Sequence, residues 1–109
     1  MKEVNLAGKN ELVSIVVPIY NERESIQKLV KKLMDAFHET KYSIEILLVD
    51  DGSKDGSKAV EKELKETYDN VKQIDFLTNK GKAEALNAGF AAAEGNFVAT
   101  IDSDLQDDP

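Results

Sequence analysis

An α/β layer with a mostly parallel sheet and helices on both faces is the fold class this sequence predicts. Short apolar, β-branched runs alternate with longer stretches whose apolar residues recur at intervals of three and four, the signature of strands interleaved with amphipathic helices. The strand-like runs are apolar at nearly every position, as expected of strands covered on both faces. No internal repeat, low-complexity tract or linker interrupts the 109 residues, so one domain accounts for the chain, residues 12–109 following a polar leader at 1–11.

The first strand is "LVSIVVPIY", Leu12–Tyr20, with Pro18 near its end, where a missing N–H is tolerated. The period then changes: Ile26, Leu29, Val30, Leu33, Met34 and Phe37 form the stripe of an amphipathic helix. A second buried strand, Ile44–Val49, runs into "DDGS". The following helix turns Val60, Leu64 and Tyr68 inward, with Asp55 or Ser57 as its N-cap. Val71–Leu77 reads as the third strand. "KGKAEALNAGFAAAEG" reads as a third helix with Ala83, Leu86, Phe90 and Ala93 inward and Gly95 as C-cap. Phe97–Ile101 is the fourth strand, buried, and leads into "DSDLQDDP".

Right-handed crossovers constrain how these units assemble. If strands two and three step outward on one side of strand one, their helices cover one face. If strand four lies on the other side of strand one, its helix covers the opposite face. The reversal leaves a crevice beyond the carboxyl ends of strands one and four. "YNE" (Tyr20–Glu22), "DDGS" (Asp50–Ser53) and "DSD" (Asp102–Asp104) would all meet there.

Twenty-one acidic residues against fourteen basic give a formal charge of −7, which argues against a sequence-blind grip on nucleic acid. The same balance suits a protein that offers carboxylates to a cation. Without cysteine there are no disulfides, thiolate zinc sites or thiol catalysis, and a cytoplasmic location fits. No apolar run approaches the ~20 residues of a membrane helix.

Asp102 and Asp104 alternate on an extended segment, so both carboxylates can face one site, and Gln106 adds a carbonyl at the same parity. Oxygen ligands of this kind suit Mg²⁺ or Mn²⁺; the plainer reading is a solvated acidic loop or a helix cap. Asp50 fits a turn-capping role, whereas Asp51 at the strand tip could accept a hydrogen bond from the imide N–H of a base. Tyr20 offers a flat face for stacking or is an ordinary edge aromatic. Lys80 and Lys82 flank Gly81 at a helix start that favours anions, although solvated lysines are the default. His38 has no second histidine to work with and takes no role. Neither a P-loop nor the G-x-G-x-x-G fingerprint of dinucleotide folds is present.

In that order, "VVPIYNE", "LLVDDGSKDGS", "NKGKAEALNAGFAAAEG" and "IDSDLQDDP" resemble the nucleotide-binding half of inverting glycosyltransferases of the family 2 type, with the Rossmann-like GT-A fold. The resemblance spans Ser14 to Pro109, and "DSDLQDDP" looks like the dolichyl-phosphate mannosyltransferase branch, which loads sugars onto polyprenyl phosphates. It implies that Pro18, Tyr20 and Glu22 line a nucleoside pocket and that Asp51 recognises the base edge. By the same resemblance Asp102 lies by the ribose and diphosphate, Asp104 and Gln106 hold Mg²⁺ or Mn²⁺, and Lys82 approaches phosphate. Ser103 stands where that branch often has Ala.

The implied donor is a UDP- or GDP-sugar, and the implied acceptor a polyprenyl phosphate or glycan. The full-length form would associate with the cytoplasmic face of a membrane. Such enzymes continue beyond the fourth strand into an acceptor-binding half that supplies the catalytic base or acceptor-positioning groups, so these are expected beyond Pro109. The 109 residues alone are expected to bind donor weakly and not to turn it over. An apolar fourth strand left at the sheet edge is expected to promote self-association. Two other classes compete: a response-regulator receiver with Asp102 as phosphoacceptor, and a non-catalytic nucleotide-binding small protein. The receiver fits poorly, because its acid pair belongs near the first strand and further strands should follow the phosphoacceptor.

Overall fold

The computed structural model describes residues 11–103. Four parallel strands, β1 (Glu11–Ile19), β2 (Tyr42–Asp51), β3 (Val71–Phe76) and β4 (Phe97–Thr100), form one sheet in the order β3-β2-β1-β4. Helices α1 (Arg23–Phe37), α2 (Ser57–Thr67) and α3 (Lys82–Ala92) provide the crossovers. The order reverses at β1, as the crossover argument anticipated, so a crevice opens between the tips of β1 and β4.

Strand parity divides the core into two layers. Ile15, Val17 and Ile19 of β1 and Ile44, Ile46 and Leu48 of β2 pack with Ile26, Leu29, Val30 and Leu33 of α1 and Leu64 of α2. On the opposite face Val16, Leu47 and Val49 pack with Ala85 of α3, and Ile74, Phe76 and Leu86 lie against them. Because β1 pairs in register with β2 from Glu11↔Tyr42 to Ile19↔Asp50, both strand tips finish at the same level.

The α3 layer is thin. Ala85 and Gly89 are its buried residues, and a Cβ on Gly89 would collide with the Val16 side chain. The expected inward set is therefore corrected: Ala83 and Phe90 are exposed, while Leu86 and Ala93 are partly buried. An alanine-rich helix carries little periodic contrast, and here the face with the least bulk lies against β1. The helix also stops at Ala92, with Ala93 extended, so Gly95 is not its C-cap. Instead Gly95 lies against β1, where its N–H donates to Ser14 Oγ at 2.8 Å. Beside it the buried Glu45 carboxylate accepts from Ser14 Oγ (2.5 Å), the Glu94 N–H (2.6 Å) and Lys72 Nζ (2.7 Å), tying the α3–β4 turn to three strands.

β4 departs from the buried strand expected of its sequence. All four of its residues are exposed, because β4 sits at the edge of the described sheet and α3 covers mainly β1 and β2. The ends of other elements shift slightly: Glu11 already belongs to β1, Tyr20 lies just outside it, and β3 ends before Leu77.

Candidate functional site

Side chains from four separate segments meet in the crevice at the switch point. Pro18, Tyr20 and Glu22 come from the tip of β1, Asp51 from the tip of β2, Lys82 from the first turn of α3, and Asp102 from the segment after β4. Together with Asn79, Gly81 and Ser103 they line a cavity of about 510 Å³, the size of a small-molecule site. All six substrate-binding residues named from the sequence thus converge on one pocket. The two proposed metal ligands, Asp104 and Gln106, lie outside the described residues.

The wall formed by the β1–α1 loop is held by the loop after β2. Asn21 has a left-handed backbone, φ 54°, which Asn tolerates better than most residues. Its N–H donates to Ser53 Oγ (2.8 Å), and its Oδ1 accepts the Lys54 N–H (2.8 Å). One residue on, the Glu22 N–H donates to Ser57 Oγ (3.1 Å), and the Arg23 N–H reaches Asp55 Oδ2 (3.3 Å). The N-cap of α2 is Gly56, not the Asp55 or Ser57 expected from the sequence; Asp55 lies one residue earlier, its Oδ1 accepting from Ser57 N–H (3.0 Å) and Ser57 Oγ (2.6 Å). "YNE" and "DGSKDGS" are therefore one interlocked unit, which leaves Tyr20 half exposed over the pocket.

Asp51 anchors the opposite wall. Its Oδ1 accepts the Lys80 N–H at 2.6 Å, and its Oδ2 accepts the Gly81 N–H at 3.0 Å and Asn79 Nδ2 at 3.1 Å. These bonds fix the segment entering α3 and aim the helix N-terminus at the cavity, an arrangement favourable to anions. Gly52 makes the approach possible: a Cβ there would lie 2.5 Å from Asn79 N and Thr78 C. Across the mouth Lys82 Nζ pairs with Asp102 Oδ1 at 2.8 Å, both side chains well exposed.

Asp50 points to the other face of the sheet. Its Oδ1 accepts the Ser53 N–H at 2.7 Å, the turn-capping role read from the sequence. Beside it Glu61 of α2 is fully buried, and burial together with the Asp50 carboxylate, then Asp75, pushes its carboxyl up to about 10. Sequence reasoning missed Glu61, although it falls on the same helical face as Leu64 and Tyr68. Asn79 was missed as well; its position just before "KGK" was the available signal.

Among the described residues no group of three acidic, histidine or cysteine side chains is arranged to hold a metal. Asp102 brings an exposed carboxylate to the pocket rim, and its hard oxygens are the donor type that Mg²⁺ or Mn²⁺ accepts. No described helix is long and apolar enough to cross a membrane.

A parallel α/β sheet with helices on both faces and a polar pocket at its switch point, entered by a helix N-terminus, is the arrangement of the GT-A glycosyltransferase fold. The chain belongs to glycosyl transferase family 2, whose profile matches residues 14–109. Among curated relatives it is 42% identical over 98 residues to an undecaprenyl-phosphate 4-deoxy-4-formamido-L-arabinose transferase of Pseudomonas fluorescens, covering 89% of this chain and 29% of that protein. It is 44% identical over 96 residues to the uncharacterized glycosyltransferase YkcC of Bacillus subtilis, covering 88% of this chain and 30% of that protein. The chain thus spans about three-tenths of the length of these relatives.

Solved structures agree. A Pyrobaculum calidifontis mannosyltransferase in complex with GDP-Man and Mn²⁺ superimposes with a TM-score of 0.72 at 29% identity, over 86% of this chain and 28% of that one. S. aureus TarS 1-349 in complex with UDP gives 0.72 at 32% identity, over 84% of this chain and 27% of that one. The receiver alternative is set aside by the family match.

Proposed function

We propose that residues 12–109 are the donor-binding half of an inverting glycosyltransferase that takes a UDP- or GDP-sugar and delivers the sugar to a polyprenyl phosphate. The observation that carries this reading is the convergence of Tyr20, Asp51, Lys82 and Asp102 on one pocket. The base stacks on Tyr20, which is exposed where stacking needs it. Asp51 accepts the imide N–H of the base with Oδ1, which takes one bond among the described residues, from the Lys80 N–H. Pro18 and Glu22 complete the nucleoside wall, and Asp102 lies beside the ribose and diphosphate. Lys82 and the N-terminus of α3 meet the diphosphate charge.

Asp104 and Gln106 would hold Mg²⁺ or Mn²⁺ next to Asp102. Bound there, the cation would supply Lewis-acid stabilisation of the departing nucleoside diphosphate. An acceptor oxygen attacks the anomeric carbon from the face opposite the diphosphate. The C–O bond to the diphosphate breaks with its electron pair leaving on the phosphate oxygen, and configuration inverts. The acceptor phosphate oxygen attacks as its anion; the base or acceptor-positioning groups that serve it belong to the portion that the longer relatives possess, and the 109 residues alone bind donor weakly without turnover. Placement at the cytoplasmic face of a membrane accords with the lipid-phosphate names of several relatives. We propose further that β4, apolar and exposed with no strand on its outer edge among the described residues, pairs with a second copy of this chain.

Titrating the chain with GDP- and UDP-sugars in the presence of Mn²⁺ tests the pocket. Amide signals of Tyr20, Asp51, Lys82 and Asp102 should move together, and Lys82→Ala should weaken binding roughly tenfold, as loss of a charge-assisted contact does. Shifts confined to residues outside the pocket, or none with either nucleotide, would remove the donor reading.

A further inference from the structure

We infer that Glu61 is a positioning residue for this pocket: its protonated carboxyl donates to Asp50, and through Asp50 and the loop after β2 it sets the β1–α1 loop that carries Tyr20 and Glu22. The inference rests on the proposed donor site, although Glu61 touches no part of the cavity.

Geometry carries it. Asp50 and Glu61 are each completely buried, on facing elements β2 and α2. Gln73 Nε2 of β3 donates to Glu61 Oε1 (3.3 Å) and to the Lys58 carbonyl (3.1 Å), while Asp50 Oδ1 takes the Ser53 N–H. The two remaining oxygens, Asp50 Oδ2 and Glu61 Oε2, find no donor among the described residues, and the carboxyls lie within hydrogen-bonding reach of each other. Two buried carboxyls in contact cannot both ionise without severe repulsion, so a shared proton is the arrangement that satisfies both oxygens.

From there the chain of bonds runs outward. Asp50 holds the Ser53 N–H, Ser53 Oγ holds the Asn21 N–H, and Asn21 Oδ1 holds the Lys54 N–H. Asn21 is the left-handed residue between Tyr20 and Glu22, so its placement decides where both pocket residues lie. The charged surroundings reinforce the proton. Asp75 of β3 adds a second negative charge, while the Lys58 Nζ of α2 donates to the Phe76 carbonyl at 2.8 Å. On the α1 side the Arg23 side chain lies against Gly56, and Asp55 is occupied by Ser57 and the Arg23 N–H.

Carbon-detected NMR of the 109-residue chain from about pH 5 to about pH 11, spanning the ordinary and the raised carboxyl ranges, provides the test. The Glu61 Cδ should titrate near pH 10, with the Asn21 and Ser53 carbonyl signals following the same midpoint. In Glu61→Gln, whose amide can donate to Asp50 at every pH, those two signals should no longer move. Titration of Glu61 in the ordinary carboxylate range, or identical movement of Asn21 and Ser53 in Glu61→Gln, overturns the inference.

At neutral pH, GDP and UDP with Mn²⁺ should bind Glu61→Gln within about twofold of the parent and Glu61→Leu roughly tenfold more weakly, since leucine leaves Asp50 Oδ2 without a donor. Equal binding by Glu61→Leu also overturns it. Where the leucine variant does not fold, the parent and glutamine titrations decide. If the parent binds neither nucleotide, the donor reading fails, and the carbon titration still judges whether Glu61 sets the loops.

Discussion

Replacing Gly52 with alanine separates two contributions that the pocket combines. Gly52 has φ 79°, and a Cβ would sit 2.5 Å from two backbone atoms of Thr78 and Asn79. Gly56 supplies the control: its φ is 96°, but its added Cβ would meet only the flexible Arg23 side chain, at 3.2 Å. Gly56→Ala should therefore lose about 1–2 kcal/mol, the penalty for a left-handed L-residue. Gly52→Ala carries the same penalty plus an overpacking term of about 1–3 kcal/mol, for a total of roughly 2–5 kcal/mol. Backbone at 78–79 cannot yield without loosening the Asn79, Lys80 and Gly81 bonds to Asp51. Urea unfolding of both variants gives the stabilities, and nucleotide titration should show loss of affinity in Gly52→Ala alone. Two variants within about 0.5 kcal/mol of each other, both binding normally, would refute the reasoning.

Other expectations concern the far end of the sheet and its edge. Burial pushes the Glu45 carboxyl up, but hydrogen bonds from Lys72, Ser14 and the Glu94 amide prevail and hold it below the usual carboxylate range. Its contribution is thus present above the ordinary glutamate pKa and is lost as pH falls through the lowered folded value. Glu45→Gln should reduce stability at neutral pH by about 1–3 kcal/mol and flatten the acid limb of a melting-temperature profile; an unchanged limb would count against the assignment. Sedimentation over a wide concentration range should reveal association of the chain, weakened by Val98→Lys on β4; a monomer throughout would remove that proposal.

The strand order and the pocket were legible because they follow from alternation, handedness and polar clusters at strand ends, all of which are local patterns. Tyr20, Asp51 and Asp102 lie just beyond apolar runs, so topology alone brings them together. What escaped was information carried by neighbours. Glu61 reads as a solvated helix residue until Asp50 and Gln73 are seen across from it. Phe90 looks like core in a helix whose actual contact face is Ala85 and Gly89, selected by the bulk of Val16 and Leu47 rather than by periodicity. β4 has the composition of a covered strand, yet an edge position exposes it. Nothing in the sequence signals that three donors from one loop converge on the Asp51 carboxylate.

Asp50 and Asp51 are chemically identical neighbours with opposite destinations, one sealed beneath α2 and the other opening on the cavity. Alternation along β2 is all that separates them. A single-residue deletion within β2 would disrupt both environments, sending the cavity-facing acid into the interior and stripping Glu61 of its counterpart. Changes of length in this strand should therefore be far less tolerated than changes of side chain at its partly exposed start, Tyr42 and Ser43.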